Sequence, residues 1–262
     1  MRSTEFWDTR YSEAQTHSYG EAALPSSKDP VLRKALEWFG DVENRTLVDL
    51  GCGRGAASLF FAHHGANVIS IDASEMAISQ LAEYCSRRSI TNVHPIKPSV
   101  LEISTLQEVD YVFGSLILHH IEPFEEFPRL LRDAIKPEGR ALFWENNASS
   151  KTMMWFRRNI VGRLWIRRQG DPEESPLTPS EVDALREYFD VAVEYPDLLY
   201  FRMISTYLLR GRLMKPCQIL DRCLFRLPEF RRLSYRQLLL LGPVSHRPDE
   251  ALHLTATLHG GI

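Results

Sequence analysis

The stretch VDLGCGRG, residues 48–55, ends a short apolar run with an acid and three glycines, Gly51, Gly53 and Gly55. Glycine lets the backbone approach a ligand closely, and the free amides of a helix N-terminus attract its polar groups. The stretch therefore predicts a binding turn between a first strand at 46–50 and a helix at 55–65. On its own the stretch does not identify the ligand, because Gly51, Gly53 and Ala56 also satisfy the G-x-G-x-x-A form of the dinucleotide fingerprint.

The end of the next predicted strand favours a ligand that contains a ribose. The run NVISID, residues 67–72, reads as a second strand, and Asp72 follows Gly51 by 21 residues. A dinucleotide and S-adenosylmethionine both place ribose hydroxyls against an acid at this point. The structural alternative is a tight strand-to-helix turn that binds no ligand.

Residues 46–147 alternate strand-like and helical runs, the pattern of a parallel sheet covered by helices. A helix begins at the Asp-Pro of DPVLRKALEWFG, ahead of the first strand. NVHPIKP is a weak third strand because its two prolines interrupt it. The remaining predicted elements are a helix at 74–88 capped by Ser74, strands at 109–117 and 141–146, helices at 123–135 and 179–188, and strands at 190–200 and 235–244.

Composition and charge bound the class of protein. The chain has 262 residues, of which 44% are hydrophobic, so it can bury a full core. It has no apolar run of about 18 residues and no apolar signal-peptide core. Its four cysteines form no C-x-x-C pair, which favours reduced thiols and a cytoplasmic location. No set of His, Cys and carboxylate residues has metal-ligand spacing, so no metal is expected.

Four stretches together, VDLGCGRG, VISIDAS, VDYVFGSLILHHI and IKPEGRALFWE, resemble the class I S-adenosylmethionine-dependent methyltransferases. Within that class they are similar to the small-molecule branch that includes quinone-type enzymes. The resemblance is close over residues 40–147 and loose over 179–200. It implies a Rossmann-like α/β fold with a seven-stranded, mostly parallel sheet, an antiparallel last strand and helical lid insertions. It also implies S-adenosyl-L-methionine as cofactor and S-adenosyl-L-homocysteine as its product.

The resemblance assigns the cofactor contacts to residues at the strand ends. Those around the methionine half are Asp49, Gly51, Gly53 and Gly55, and those that reach its amino group are Gly114 and Ser115. Those at the ribose and adenine are Asp72, Ser74 and Met76. Members of the family often carry an acid for the adenine after the third strand. Here that position is Ser99, so adenine recognition is expected to rest on Ser99, the Val100 backbone and packing.

The resemblance divides the chain into an N-terminal cofactor cap, residues 1–40, and one methyltransferase domain, residues 41–262. Lid insertions are predicted at about 150–178 and 203–235. In the cap the candidate cofactor contacts are Trp7, Arg10, Tyr11 and Tyr19, although the segment would also suit a surface helix packed on the core.

Methyl transfer needs an aligned, desolvated acceptor, and an oxygen or nitrogen acceptor also benefits from a base. Open parallel sheets bind ligands at the carboxyl ends of their strands, where the candidates are His119, His120, Glu145 and Asn146. The predicted catalytic residues are His119 and Glu145, and Glu145 is the one expected to contact the substrate. Successive side chains are expected to diverge, so only one of the two histidines should face the acceptor.

The charge and the apolar residues of the predicted lid indicate the chemistry of the acceptor. Segments 151–170 and 202–236 hold 15 of the 31 Lys and Arg residues but only two acids, Asp221 and Glu229. They are also apolar, with a predicted helical stripe at Cys217, Leu220, Leu224 and Leu227 that leaves Arg222 and Arg226 on another face. Such a lid suits a small apolar or lipid-like acceptor with an anionic group, or peripheral contact with an anionic membrane; simple packing is the alternative.

Three functions remain open on the residues alone. The favoured one is methyl transfer to a hydroxyl, or else to a carbon or nitrogen, of the lipid-like acceptor. The others are a nicotinamide-dependent oxidoreductase and a catalytically silent cofactor-binding module. A nucleic-acid partner is not expected, since the sequence pI is about 6.3 and no base-clasping motif follows the fourth strand.

Overall fold

The computed structural model describes residues 7–8, 29–97, 100–106, 108–159 and 175–244. Its seven strands are β1 (Thr46–Leu50), β2 (Asn67–Ile71), β3 (Val93–Ile96), β4 (Val109–Ser115), β5 (Ile135–Asn146), β6 (Asp190–Glu194) and β7 (Arg236–Gly242). They form one sheet in the order β3-β2-β1-β4-β5-β7-β6. The strands β1 to β5 pair in parallel, and β7 runs antiparallel to both β5 and β6. The predicted Rossmann-like sheet with an antiparallel last strand is confirmed.

Nine α-helices lie in the described residues. They are α1 (Pro30–Phe39), α2 (Ala56–His63), α3 (Glu75–Arg88), α4 (Phe127–Ala134), α5 (Lys151–Asn159), α6 (Pro179–Arg186), α7 (Tyr200–Leu208), α8 (Met214–Phe225) and α9 (Pro228–Arg231). Local capping sets several starts: the Asp29 side chain accepts from the amides of Val31 and Leu32, and Ser74 accepts from that of Ala77.

Each face of the sheet has its own hydrophobic core. One is centred on Val48, Val112 and Phe143 and is covered by α4 and α6, and the other is centred on Leu47, Val68 and Phe113 and is covered by α1, α2 and α3. Helix α1 lies inside the predicted cap segment, yet its Leu32, Ala35 and Phe39 are buried. Residues 30–39 thus contribute to the core, and the proposed division of the chain at residue 40 falls directly after that helix.

Both predicted lid regions contain helices that lie between strands along the chain. α5 follows β5, and α7 to α9 connect β6 to β7. Residues 160–174, the rest of the first lid prediction, lie outside the described residues. No helix in the described ranges is long and apolar enough to cross a bilayer.

Candidate active site

The glycine turn lies at the carboxyl end of β1. The amides of Gly51 and Cys52 both donate to the carbonyl of Ile71, at 2.8 and 2.9 Å, which ties the turn to β2. Gly51 has φ +70°, and a Cβ on it would lie 2.7 Å from Cδ1 of Ile117. Gly55 begins α2 in the left-handed conformation without a side-chain cap. The turn therefore requires glycine, and it leaves helix amides open to a ligand.

Asp72 joins the end of β2 to this turn. Its Oδ2 accepts from the Gly53 amide and its Oδ1 from the Ser74 amide, both at 2.8 Å. Burial is the main cause that raises the pKa of Asp72 above its ordinary value, although these amide hydrogen bonds oppose the shift. The carboxylate thus lies beside the glycine turn, where the sequence predicts a ribose contact.

The N-terminal residues that the structure describes contact the same region. Asp8 accepts hydrogen bonds from the Ser74 hydroxyl and, at 3.5 Å, from the Met76 amide. The ring of Trp7 meets that of His120 edge-on, with centroids 6.1 Å apart. Sequence reasoning named Trp7 but missed Asp8, whose proximity depends on a contact across more than 60 residues.

Of the other predicted cofactor residues, the structure describes some and not others. Gly114 is the last but one residue of β4, and a Cβ on it would lie 2.7 Å from the Phe143 ring. Ser115 ends the strand and is exposed. Val100 starts a short 3-10 helix, Val100–Thr105. Ser99 lies outside the described residues, as do Arg10, Tyr11 and Tyr19 of the predicted cap.

His119 and Glu145 form a buried pair at the carboxyl ends of β4 and β5. Nδ1 of His119 lies 2.7 Å from Oε2 of Glu145, and the two side chains are 4% and 0% exposed. The other carboxylate oxygen accepts from the amides of Ile117 and Leu118, both at 2.7 Å. Glu145 therefore fixes both the loop after β4 and the imidazole that this loop carries.

The two histidines do not diverge as expected. His119 and His120 belong to a 3-10 helix, Leu118–His120, and their ring centroids are only 4.3 Å apart. The prediction did not take account of this 3-10 helix, in which successive side chains are about 120° apart rather than on opposite faces. Both rings lie at the same edge of the sheet.

Two amide side chains at this edge each leave one polar atom without a protein partner. They are Oδ1 of Asn146 and Nε2 of Gln237, on side chains of residues that are 8% and 3% exposed. Gln237 pairs across the sheet with Glu145. Sequence reasoning named Asn146 and missed Gln237, because only the β5–β7 register brings it here. Both can hydrogen-bond a polar acceptor.

Asp49 lies beneath the turn rather than at its surface. It is 2% exposed and accepts a 2.5 Å hydrogen bond from Ser58, which in turn accepts from Ser70. Desolvation raises the pKa of Asp49 from 3.8 to about 7, although the hydrogen bonds from Ser58 oppose the shift. No group of three or more His, Cys, Asp or Glu suited to a metal occurs among the described residues.

The raised pKa of Asp49 predicts a pH-dependent stability. Between about pH 4 and pH 7 the folded state holds a proton on Asp49 that the unfolded state releases, so the free energy of unfolding falls as the pH rises. Three pKa units correspond to at most about 4 kcal/mol. We expect Asp49→Asn to gain stability over the wild type at pH 8 relative to pH 5, as measured by denaturant unfolding. An equal stability difference at both pH values would contradict the buried, neutral acid.

Comparison with known proteins agrees with this geometry. Residues 48–141 match a family model described as a methyltransferase domain. The ubiquinone biosynthesis O-methyltransferase of Rickettsia bellii is 25% identical over 176 residues, which cover 66% of this chain and 72% of that protein. The structure of geranyl diphosphate C-methyltransferase from Streptomyces coelicolor has a TM-score of 0.59 at 15% identity, covering 93% of this chain and 99% of that one.

A [4+2]-cyclase has the same TM-score, 0.59, at 14% identity, covering 92% of this chain and 94% of that one. These structural likenesses establish the fold, and the cyclase shows that the fold alone does not decide the reaction. The sheet and the glycine turn agree with the methyltransferase domain that residues 48–141 match. Together with the relatives named O-methyltransferases, these findings support an S-adenosylmethionine-dependent methyltransferase with S-adenosyl-L-methionine as its cofactor. The nicotinamide alternative is not favoured.

Proposed function

We propose that the enzyme methylates a hydroxyl group of a small, apolar, quinone-type acceptor, with His119 as general base and Glu145 as the residue that positions it. The observation that carries the proposal is the 2.7 Å contact between Nδ1 of His119 and the fully buried carboxylate of Glu145. A base suits an oxygen acceptor, and relatives such as the Rickettsia bellii protein are named ubiquinone biosynthesis O-methyltransferases.

The pair acts by fixing the proton on one imidazole nitrogen. If Glu145 accepts from Nδ1–H, the lone pair of Nε2 is left to take the proton of the acceptor hydroxyl. A phenolic hydroxyl has a pKa of about 10, so removal of its proton during attack assists the reaction near neutral pH. S-adenosylmethionine, when bound, supplies a methyl group on a positively charged sulfur. Glu145 then stabilises the imidazolium that forms.

The residues at the glycine turn fit this cofactor. The three glycines have positive φ and leave the amides of α2 uncapped, and Asp72 offers a carboxylate to hydroxyl donors. We place the methionine half along the turn, above Asp49, with its amino group towards Gly114 and Ser115. Asp72 binds the ribose, and Ser74 and Met76 lie on the adenine side. Ser99 and the Val100 backbone complete the adenine contacts.

We assign acceptor orientation to the unpartnered amide atoms of Asn146 and Gln237. An acceptor with a second oxygen next to the methylated hydroxyl would satisfy either atom, whereas a hydrocarbon would leave both unpaired. This favours an ortho-oxygenated ring over a simple phenol.

The test is methylation of matched acceptors by the purified enzyme with S-adenosylmethionine. We expect an alkyl-substituted ortho-dihydroxybenzene to give an O-methyl product, identified by mass and by the position of its methyl signal in NMR spectra. The corresponding mono-phenol should react more slowly. A C-methyl or N-methyl product would refute the hydroxyl acceptor. Binding of S-adenosylhomocysteine with no product from any acceptor would favour the alternative of a catalytically silent cofactor-binding module.

Glu145→Gln tests the positioning role. Glutamine keeps the size of the side chain and an oxygen for the Ile117 and Leu118 amides, but it removes the charge that stabilises the imidazolium. We expect kcat to fall about 10- to 100-fold, the value of one charge-assisted hydrogen bond, while the KM of the acceptor changes little. If KM rose with kcat intact, Glu145 would instead contact the acceptor, as the sequence alone suggested.

A further inference from the structure

The helical segment between β6 and β7 displays apolar side chains to solvent. Among the described residues eight large hydrophobic side chains are exposed, and six of them lie between positions 208 and 227. We call these six the apolar patch: Leu208, Leu209, Leu213, Ile219, Leu220 and Leu227. Single exposed hydrophobic residues are common on protein surfaces, but such a cluster in one short segment indicates an interaction surface.

Helix α8 buries an acid and exposes two large apolar side chains. Its inner face buries Asp221, whose carboxylate accepts from the amides of Phe201 and Arg202 at 2.8 and 2.9 Å and so caps α7. Its outer face carries Ile219, 57% exposed, and Leu220, 48% exposed. Of the predicted apolar stripe Cys217 is buried, whereas Leu220 and Leu227 are exposed, because α8 is oriented to present Asp221 to the start of α7.

The loop before α8 holds a leucine outwards. Leu213 has φ +59° and is 63% exposed. A bulky residue rarely adopts this conformation. The loop is fixed from inside by Ser205, whose hydroxyl donates to the Arg212 carbonyl at 2.6 Å and whose own carbonyl accepts from the Gly211 amide at 2.8 Å. Leu213 is thus displayed by an ordered turn.

The segment that carries the patch is also rich in cations. Residues 200–232 contain eight Lys or Arg and two acids, one of which is the buried Asp221. Lys215 and Arg222 on α8, and Arg226 directly after it, are exposed, as is Ile219. In the part of the chain that the structure describes, none of these three cations has a salt bridge. An apolar surface with unpaired cations around it complements an anionic lipid headgroup layer.

We propose that the apolar patch and the cations of α8 form a docking surface for an anionic lipid bilayer. The leucines enter the headgroup boundary while the cations bind lipid phosphates. The surface also borders a cleft of about 350 Å³ whose walls include Arg222, Phe225 and Leu198. Docking requires neither cofactor nor acceptor, so it stands or falls separately from the proposed methyl transfer.

The experiment is co-sedimentation of the full chain with vesicles of phosphatidylcholine alone, or with about one third phosphatidylglycerol. We expect binding to the anionic vesicles only, weakened by salt. Lys215→Gln/Arg226→Gln should lower the partition coefficient roughly 25-fold, at about fivefold for each cation. Leu213→Asn should lower it severalfold, and asparagine tolerates the positive φ.

Matched controls separate this surface from general charge and hydrophobicity. Arg33→Gln removes an exposed cation on α1, and Val244→Asn removes an exposed apolar side chain beyond β7. Both should bind vesicles like the wild type, and all variants should bind S-adenosylhomocysteine equally. Equal binding to both vesicle types, or controls as weak as the patch variants, would overturn the proposal. So would a dimer in analytical ultracentrifugation that the patch variants dissociate, since a second copy would then cover the surface.

Discussion

Replacement of His119 by alanine should lower kcat about 10²- to 10⁴-fold, the usual contribution of a positioned general base. The affinity for S-adenosylhomocysteine should stay unchanged, because the contacts assigned to the cofactor come from other residues. The measurement is steady-state kinetics with the best acceptor, together with calorimetric titration of the product cofactor. The imidazole is 4% exposed, and its loss also leaves one oxygen of Glu145 without a partner, so the stability of the variant must be checked by denaturant unfolding.

His120→Ala is the matched control. Its ring lies 4.3 Å from that of His119 but has no contact with Glu145 among the hydrogen bonds of the described residues. We expect a loss in kcat of less than about tenfold, since the Glu145 carboxylate contacts the ring of His119 and orients that imidazole for proton transfer. If His120→Ala were the inactive variant and His119→Ala the active one, the base would be His120 and the Glu145 pair would be structural. If neither variant lost activity, methyl transfer would need no imidazole base.

Much of the fold could be predicted because its signals are local. The Asp-Pro before α1 and Ser74 before α3 cap their helices through atoms two or three residues away. Strand-to-helix alternation and the glycine turn give the parallel core. The start of β5 was missed, because Ile135 pairs with Val109 across a shift of register that only the folded sheet shows.

The sequence could predict where the site lies but not the contacts between its residues. Strand ends identified Asp72, His119 and Glu145, yet nothing in the sequence shows that Glu145 is fully buried with both of its oxygens hydrogen-bonded. That arrangement requires the loop after β4 to turn its amides towards β5. Gln237 was missed for a related reason, since it depends on an antiparallel register between strands 90 residues apart.

The orientation of α8 shows the limit of periodicity. The spacing of Cys217, Leu220, Leu224 and Leu227 predicts one apolar stripe, but of these four residues only Cys217 is buried. The structure instead buries Asp221, because its two amide hydrogen bonds from α7 compensate for the loss of water. A hydrophobic pattern cannot predict a buried acid whose partners are backbone amides of another helix.

Asp72→Asn should weaken the binding of S-adenosylhomocysteine about 10- to 150-fold. The reason is that a hydrogen bond to a charged acceptor contributes roughly 1.5–3 kcal/mol, and asparagine has a single acceptor oxygen where Asp72 has two. Calorimetric titration measures this directly. Asp110→Asn is the control: Asp110 is also largely buried but accepts from the Thr46 amide and Lys136 at the opposite end of β4. It should change stability without changing affinity.

The pH dependence of that affinity gives the assignment a second test. Because burial raises the pKa of Asp72, the wild type should lose affinity as the pH falls, and it should do so at a higher pH than an exposed aspartate would. Asp72→Asn should lose this dependence. Unchanged affinity in a folded variant would show that the ribose binds elsewhere. Since a dinucleotide would also place a ribose at Asp72, the same titration with reduced nicotinamide cofactor is needed. Binding of S-adenosylhomocysteine alone, sensitive to Asp72, would tie the glycine turn to the methyl donor.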